Sequence, residues 1–170
     1  MTAILRHYVK LVLLRAAPQD MPASASLLKI LVLLYLILAI VNTSSVNGIS
    51  YSLIASVIDL AMLFIFTHLI LRNKKYRFNQ TFSSFMGVGL VIGVVHALSL
   101  AMFSIDQDPQ NMSEFVRLIF FVIFIWVVVV YSHIIRHAAD TSMAVASCIS
   151  LAYIVLNVMM LVSVSELLKA

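Results

Sequence analysis

Five stretches of this chain run for 20 to 24 residues with at most one charged side chain each, and clusters of charged or turn-forming residues separate them. They are Leu27 to Val46, Ile49 to Leu71, Phe82 to Ile105, Phe115 to Ile135 and Thr141 to Val164. A helix rises about 1.5 Å per residue, so some twenty residues cover the roughly 30 Å hydrocarbon core of a bilayer. Within that core an open strand edge or a lipid-exposed loop leaves backbone groups unpaired, so runs of this length read as helices. The expected fold class is all-α: a polytopic membrane bundle of about five transmembrane helices. Composition agrees, because 63% of the 170 residues are hydrophobic against roughly 45–50% in soluble domains. One water-soluble core could not hide that surface.

Ahead of the first span, Ile4 to Arg15 place Leu5, Tyr8, Val9 and Val12 on one side of a helix and Arg6, His7 and Lys10 on the other. This is the pattern of a helix lying in the headgroup plane. Pro18 ends it. The apolar run Leu11 to Leu14 is too short for the core of a signal peptide and is broken by Pro18 to Met21, so this segment is expected to be retained. Two regions follow: a cytoplasmic amphipathic lead-in over 1–26 and a five-helix transmembrane domain over 27–170. Ser24 or Ser26 is the expected N-cap of the first span, and Asp140 or Thr141 that of the last. The turns fall at Asn47-Gly48, at the basic run Arg72 to Arg77, at the acidic segment Asp106 to Asn111 and near Arg136 to Ser142.

Positive loops resist translocation, so the placement of Lys and Arg predicts orientation. With five spans, Arg6, Lys10, Arg15, Lys29, Arg72, Lys74, Lys75, Arg77 and Arg136 share one side, and only Arg117 and Lys169 fall on the other. Asp106, Asp108, Glu114 and Glu166 also collect on that second side. The amino terminus is expected in the cytoplasm and the carboxyl terminus outside it. The net charge of +4 thus belongs to loops at a membrane surface, which makes lipid the expected partner and gives no face that tracks nucleic acid. A single cysteine, Cys148, provides neither a disulfide framework nor a thiolate metal site.

Asp59 stands near the middle of the second span, where an ionisable group costs about 2.5–3.5 kcal/mol on insertion scales and must face protein or water. Ser52 and Ser56 lie on the same helical face, one and two turns away. His96 sits at nearly the same depth in the third span. Contact between the two would create either a proton-sharing carboxylate–imidazole pair or a structural hydrogen bond between helices, and burial alone would leave Asp59 protonated. The third span also carries Gly89, Gly93, Ala97 and Ala101 at four-residue spacing, a stripe that lets another backbone approach closely, within the chain or in a homo-oligomer.

His68, His133 and His137 gather on the basic side, a set from which zinc or haem ligands are drawn. Histidines four apart on one helix cannot be opposite axial ligands of one haem, so interfacial contacts with lipid phosphate account for them, and no cofactor or metal is expected. Arg72, Lys74, Lys75 and Arg77 beside Tyr76 read as headgroup-facing cations, each worth about 1 kcal/mol against anionic lipid. Nine scattered methionines read as adaptable packing, and Asn157 and Cys148 as interhelical contacts. No catalytic triad, HExxH, phosphate loop or carboxylate pair is present in the sequence, and its connecting loops are too short to house a soluble active site, so an enzyme is not expected.

Three passages resemble the Yip family, the Ypt/Rab-interacting membrane proteins and their bacterial relatives. They are the basic turn leading into Tyr76-Arg77-Phe78-Asn79-Gln80-Thr81-Phe82, Trp126 followed by Val127 to Tyr131, and the hairpin Arg136 to Ser142 before an alanine-rich span. The amphipathic lead-in with its proline is similar too. The basic turn lacks the glycine pair often found in bacterial members, and the long amino-terminal region of the eukaryotic trafficking proteins is missing. The resemblance implies a five-helix bundle, a bacterial inner-membrane location and a non-enzymatic scaffold, assembly or membrane-organising role among other membrane proteins or its own copies. It supplies no catalytic residues. The rival expectation is a small ion- or solute-coupled transporter or channel built on Asp59, Ser52, Ser56 and His96.

Overall fold

The computed structural model describes residues 2–103 and 114–169. Among them are six α-helices: α1 (Thr2–Val12), α2 (Ala25–Asn47), α3 (Ile49–Ile70), α4 (Phe78–Phe103), α5 (Glu114–Ala139) and α6 (Met143–Lys169). Helices α2 to α6 contain five spans long and apolar enough to cross a membrane. The expected helical membrane bundle is the fold observed.

Local chemistry sets the boundaries. The Ser24 hydroxyl accepts from the Leu27 amide at 3.3 Å and caps α2. Gly48, at φ +78°, is the one residue between α2 and α3, and its freedom to adopt positive φ permits so abrupt a reversal. Helix α4 begins at Phe78, a full turn before the expected Phe82, because nothing in Phe78-Asn79-Gln80-Thr81 breaks a helix once the Lys75–Arg77 3-10 turn has set its direction. The expected end at Ile105 and the acidic segment from Asp106 to Asn111 lie outside the described residues.

The start of α6 departs from expectation. Asp140 is not its cap: at φ +54° it is the left-handed residue that terminates α5, a conformation Asp tolerates better than most side chains. The cap is Ser142, whose hydroxyl accepts from the Val145 amide at 3.3 Å.

Helix α4 is the hub, packed against α1, α2, α3 and α5, while α6 lies on α3 and α5. Eight consecutive residues, Thr81 to Val88, are buried, which a helix achieves only when neighbours cover every side. Around them Phe85 meets the Tyr131 ring edge-on at 5.0 Å, and Phe66 stacks on Tyr153 at 4.2 Å. This aromatic core occupies the half of the bundle nearer the basic turns. The outward faces are apolar throughout, with Leu33, Ile37, Ile65, Phe121 and Val155 exposed, a surface suited to lipid and not to water.

Helix α1 is amphipathic but is docked on protein. Ile4, Tyr8, Leu11 and Val12 belong to one stripe packed into the core, and Leu5, Val9 and Leu13 form a second, exposed stripe beside it. The four residues expected on one face therefore divide between two, because Leu5 and Val9 sit about 100° round the helix from Ile4 and Tyr8. Arg6 and Lys10 remain exposed. Room for the Tyr8 ring comes from Gly87, where a Cβ would lie 2.0 Å from Tyr8 Cε1. After Leu14, at φ +61°, the chain enters the Pro18–Asp20 turn, and the Gln80 amide holds the exit by donating to the carbonyls of Gln19 at 3.2 Å and Met21 at 2.8 Å.

Candidate functional site

At mid-depth Asp59 of α3 accepts from two other helices. The Tyr35 hydroxyl of α2 donates to Oδ2, and the Asn157 amide of α6 donates to Oδ1 at 2.7 Å. The sequence reading of Asp59 as a group facing protein holds, while its partner differs from the one considered. His96 packs its ring edge-on against Phe120 at 5.8 Å, and among the described residues Asp59 is hydrogen-bonded to Tyr35 and Asn157. The carboxylate–imidazole pair is not formed.

Asp59 and His96 nevertheless face one space. A cavity of about 540 Å³ extends from Asp59, Tyr35 and Asn157 toward the end of the bundle away from the basic turns, where Asn42, Thr43 and His96 line it. Its walls are mainly Leu38, Ile92, Val127, Val158 and Leu161, with Tyr131 beside the carboxylate end. Helices α2 to α6 all contribute.

Ser52 and Ser56 do not share this cavity. Both are buried; the Ser52 hydroxyl bonds back to the Gly48 carbonyl at 2.7 Å. The polar stripe drawn from sequence periodicity is present on α3, but only its Asp59 end reaches the open space.

The small-residue stripe does what its spacing implies, within the chain. Cβ atoms at Gly89 and Gly93 would each stand 2.7 Å from an α2 side chain, Tyr35 Cε2 and Leu38 Cδ2 respectively. The close approach lets Asn42 donate to the Gly93 carbonyl at 3.0 Å, tying α2 to the backbone of α4. Ala97 continues the stripe half-buried; the side chain of Ala101 lies outside the described ones.

At the basic end, the cations read as lipid-facing divide into two pairs. Lys74 and Arg77 are bound to Asp140, Arg77 at 3.0 Å to each carboxylate oxygen. They also donate to the last carbonyls of α5: Lys74 to Ala139 at 3.0 Å, Arg77 to Ala138 at 3.2 Å. Cations at a helix C-terminus complement its dipole. The Lys74 ammonium and then the Arg77 guanidinium hold the Asp140 carboxyl below its ordinary range. For these two the headgroup assignment is corrected to a tertiary one, because a carboxylate and a row of unpaired carbonyls lie within reach. Arg72 and Lys75 stay exposed, and Lys75 borders a shallow cavity of about 320 Å³ with Phe64, His68 and Phe78.

The histidines do not converge. His133 and His137 stand edge-on at 4.5 Å, but His133 Nε2 is in hydrogen-bond contact with the Ala16 carbonyl at 2.9 Å, and His68 packs on Phe78. Among the described residues no three His, Cys, Asp or Glu side chains are grouped to hold a metal.

Sequence reasoning missed Tyr35 as a partner of Asp59. The available signal was a phenol at the centre of the otherwise aliphatic run Ile30 to Val41, since a buried hydroxyl usually finds a partner. Asn157 carried the same signal and was read as an interhelical contact, now with its acceptor identified. Comparison with known proteins adds no relative: no family model, curated protein or solved structure matches the chain.

Proposed function

We infer that this integral membrane protein acts by interaction and not by catalysis, as a scaffold, assembly or membrane-organising protein of the kind its resemblance to the Yip family implies. The observation that carries this reading is the use of its polar groups. Asp59 binds α2 and α6 to α3, and Asp140 binds the α3–α4 turn to the end of α5. Both carboxylates are engaged in building the bundle. The charge distribution supports an orientation with the amino terminus in the cytoplasm and the carboxyl terminus outside, and a bacterial inner-membrane location rests on analogy with the bacterial members of that family. Exposed Arg72 and Lys75 then face anionic headgroups. The test is crosslinking in native membranes followed by purification in mild detergent. Asp59→Asn and His96→Ala are expected to alter stability or the crosslinked partner set. Ion or solute flux in proteoliposomes that depends on Asp59 would overturn the reading.

The second reading, a small coupled transporter, is favoured by one observation: Asp59 and His96 border the same mid-depth cavity. Carboxylates and imidazoles at such positions mark ion and proton paths in transporters. Proteoliposomes that stay impermeable under an imposed pH gradient would remove it.

A further inference from the structure

We propose that the mid-depth cavity is a binding site for a lipophilic organic monocation, with Asp59 as its counter-ion. The proposal concerns binding alone and stands apart from both functional readings, since neither an organising role nor a transport cycle assigns the cavity a ligand.

Charge is the first argument. The ion pairs of Lys74 and Arg77 go to Asp140. Asp59 has no Lys or Arg partner among the described residues, and its two oxygens are held by the neutral donors Tyr35 and Asn157. An ionised carboxyl group at membrane depth is costly without a counter-charge, and a cation in the adjacent space supplies one. Neutral and anionic ligands supply none.

Size and wall chemistry select the kind of cation. At about 540 Å³ the cavity lies within the roughly 300–1,000 Å³ range of small-molecule sites, far beyond the share of one dehydrated metal ion. Calcium and magnesium require about six or more oxygen ligands. Here the one carboxylate is already engaged by Tyr35 and Asn157, Asn42, Thr43 and His96 lie toward the other end, and the walls of Leu38, Ile92, Val127 and Val158 suit an apolar body. Tyr131 lines the carboxylate end of the same cavity.

The probe is tetraphenylphosphonium, with tetraphenylborate as its anionic isostere, bound to the purified full chain in nanodiscs without any imposed gradient. Saturable tetraphenylphosphonium binding is expected, weakened about tenfold or more in Asp59→Asn, and tetraphenylborate should not saturate. Val127→Trp, which fills the cavity and leaves the carboxylate in place, should abolish binding as well, so the test survives if Asp59→Asn fails to fold. Absent saturation in the wild-type protein, equal binding of the borate, or affinity kept within about twofold in a folded variant of either kind would overturn the proposal. Because no flux is measured, its failure leaves the transport reading to be judged by the proteoliposome experiment alone.

Discussion

Tyr35 on α2 donates its hydroxyl to Asp59 on α3, and with Asn157 of α6 on the other oxygen one carboxylate joins three helices. Removing one donor takes a hydrogen bond from a half-buried carboxylate, a loss of about 1 kcal/mol or somewhat more. Tyr35→Phe and Asn157→Leu are each expected to lower the thermal midpoint in detergent. The double variant should fall short of the sum, because both donors serve one acceptor group. Strict additivity would mean that the two hydrogen bonds contribute independently of each other.

Gly87 is the seat of Tyr8. With a Cβ only 2.0 Å from the ring, Gly87→Ala should force α1 away from α4, at an overpacking cost of about 1–3 kcal/mol. Hydrogen exchange over residues 2–12 is expected to accelerate while α5 and α6 keep their protection. Tyr8→Ala added to Gly87→Ala should recover part of the loss. No change in exchange would show that the ring turns aside without cost.

Asp140 titrates outside the membrane. Its carboxyl is held below the ordinary value of 3.8, first by Lys74 and then by Arg77. A depressed carboxylate contributes stability that is complete above its unfolded value and lost as pH falls through the lower folded one. The α3–α4 turn should therefore stay attached to α5 through neutral pH and loosen only in acid below the usual Asp range. A pair of spin labels, attached through Asn73→Cys and Met143→Cys in a Cys148→Ser background, would report the separation. Asp140→Asn should show the acid separation at pH 7, and a distance unaffected by that substitution would refute the tether.

Orientation has a direct test. In the Cys148→Ser background, Asn73→Cys is expected to resist impermeant thiol reagents in intact cells and react after permeabilisation, while Leu167→Cys reacts without it. The reverse pattern would invert the topology argued from Lys and Arg.

The long spans were legible because lipid compatibility is a one-dimensional property: apolar length with few charges marks Ile49–Ile70 or Glu114–Ala139. Gly89 and Gly93 were legible for a similar reason, since a four-residue repeat of small side chains stays on one helical face. The partners of Asp59 were not. Depth counting placed His96 level with it, but whether two helices turn those faces toward each other depends on rotation about each axis, which no local pattern encodes. Likewise the run Arg72 to Arg77 revealed its charge but not that Asp140, some sixty residues on, would take two of its four cations. Helix α1 reads from its residues as a headgroup helix because amphipathic periodicity looks the same for a helix floating at a lipid surface and one docked on protein.

The cover over Thr81 to Val88 also carries a timing. Three of those eight residues, Thr81, Ser83 and Ser84, bear hydroxyl groups, and Ser84 alone is seen satisfying its own through the Gln80 carbonyl, at 2.8 Å. Lipid would make a poor neighbour for those hydroxyls. Helices α1, α2 and α3 precede α4 in the chain, so during synthesis part of its cover has already left the ribosome when α4 emerges, and α5 adds the rest afterwards. Assembly can thus proceed in the order of translation, with α4 passing from the insertion machinery directly against a waiting surface.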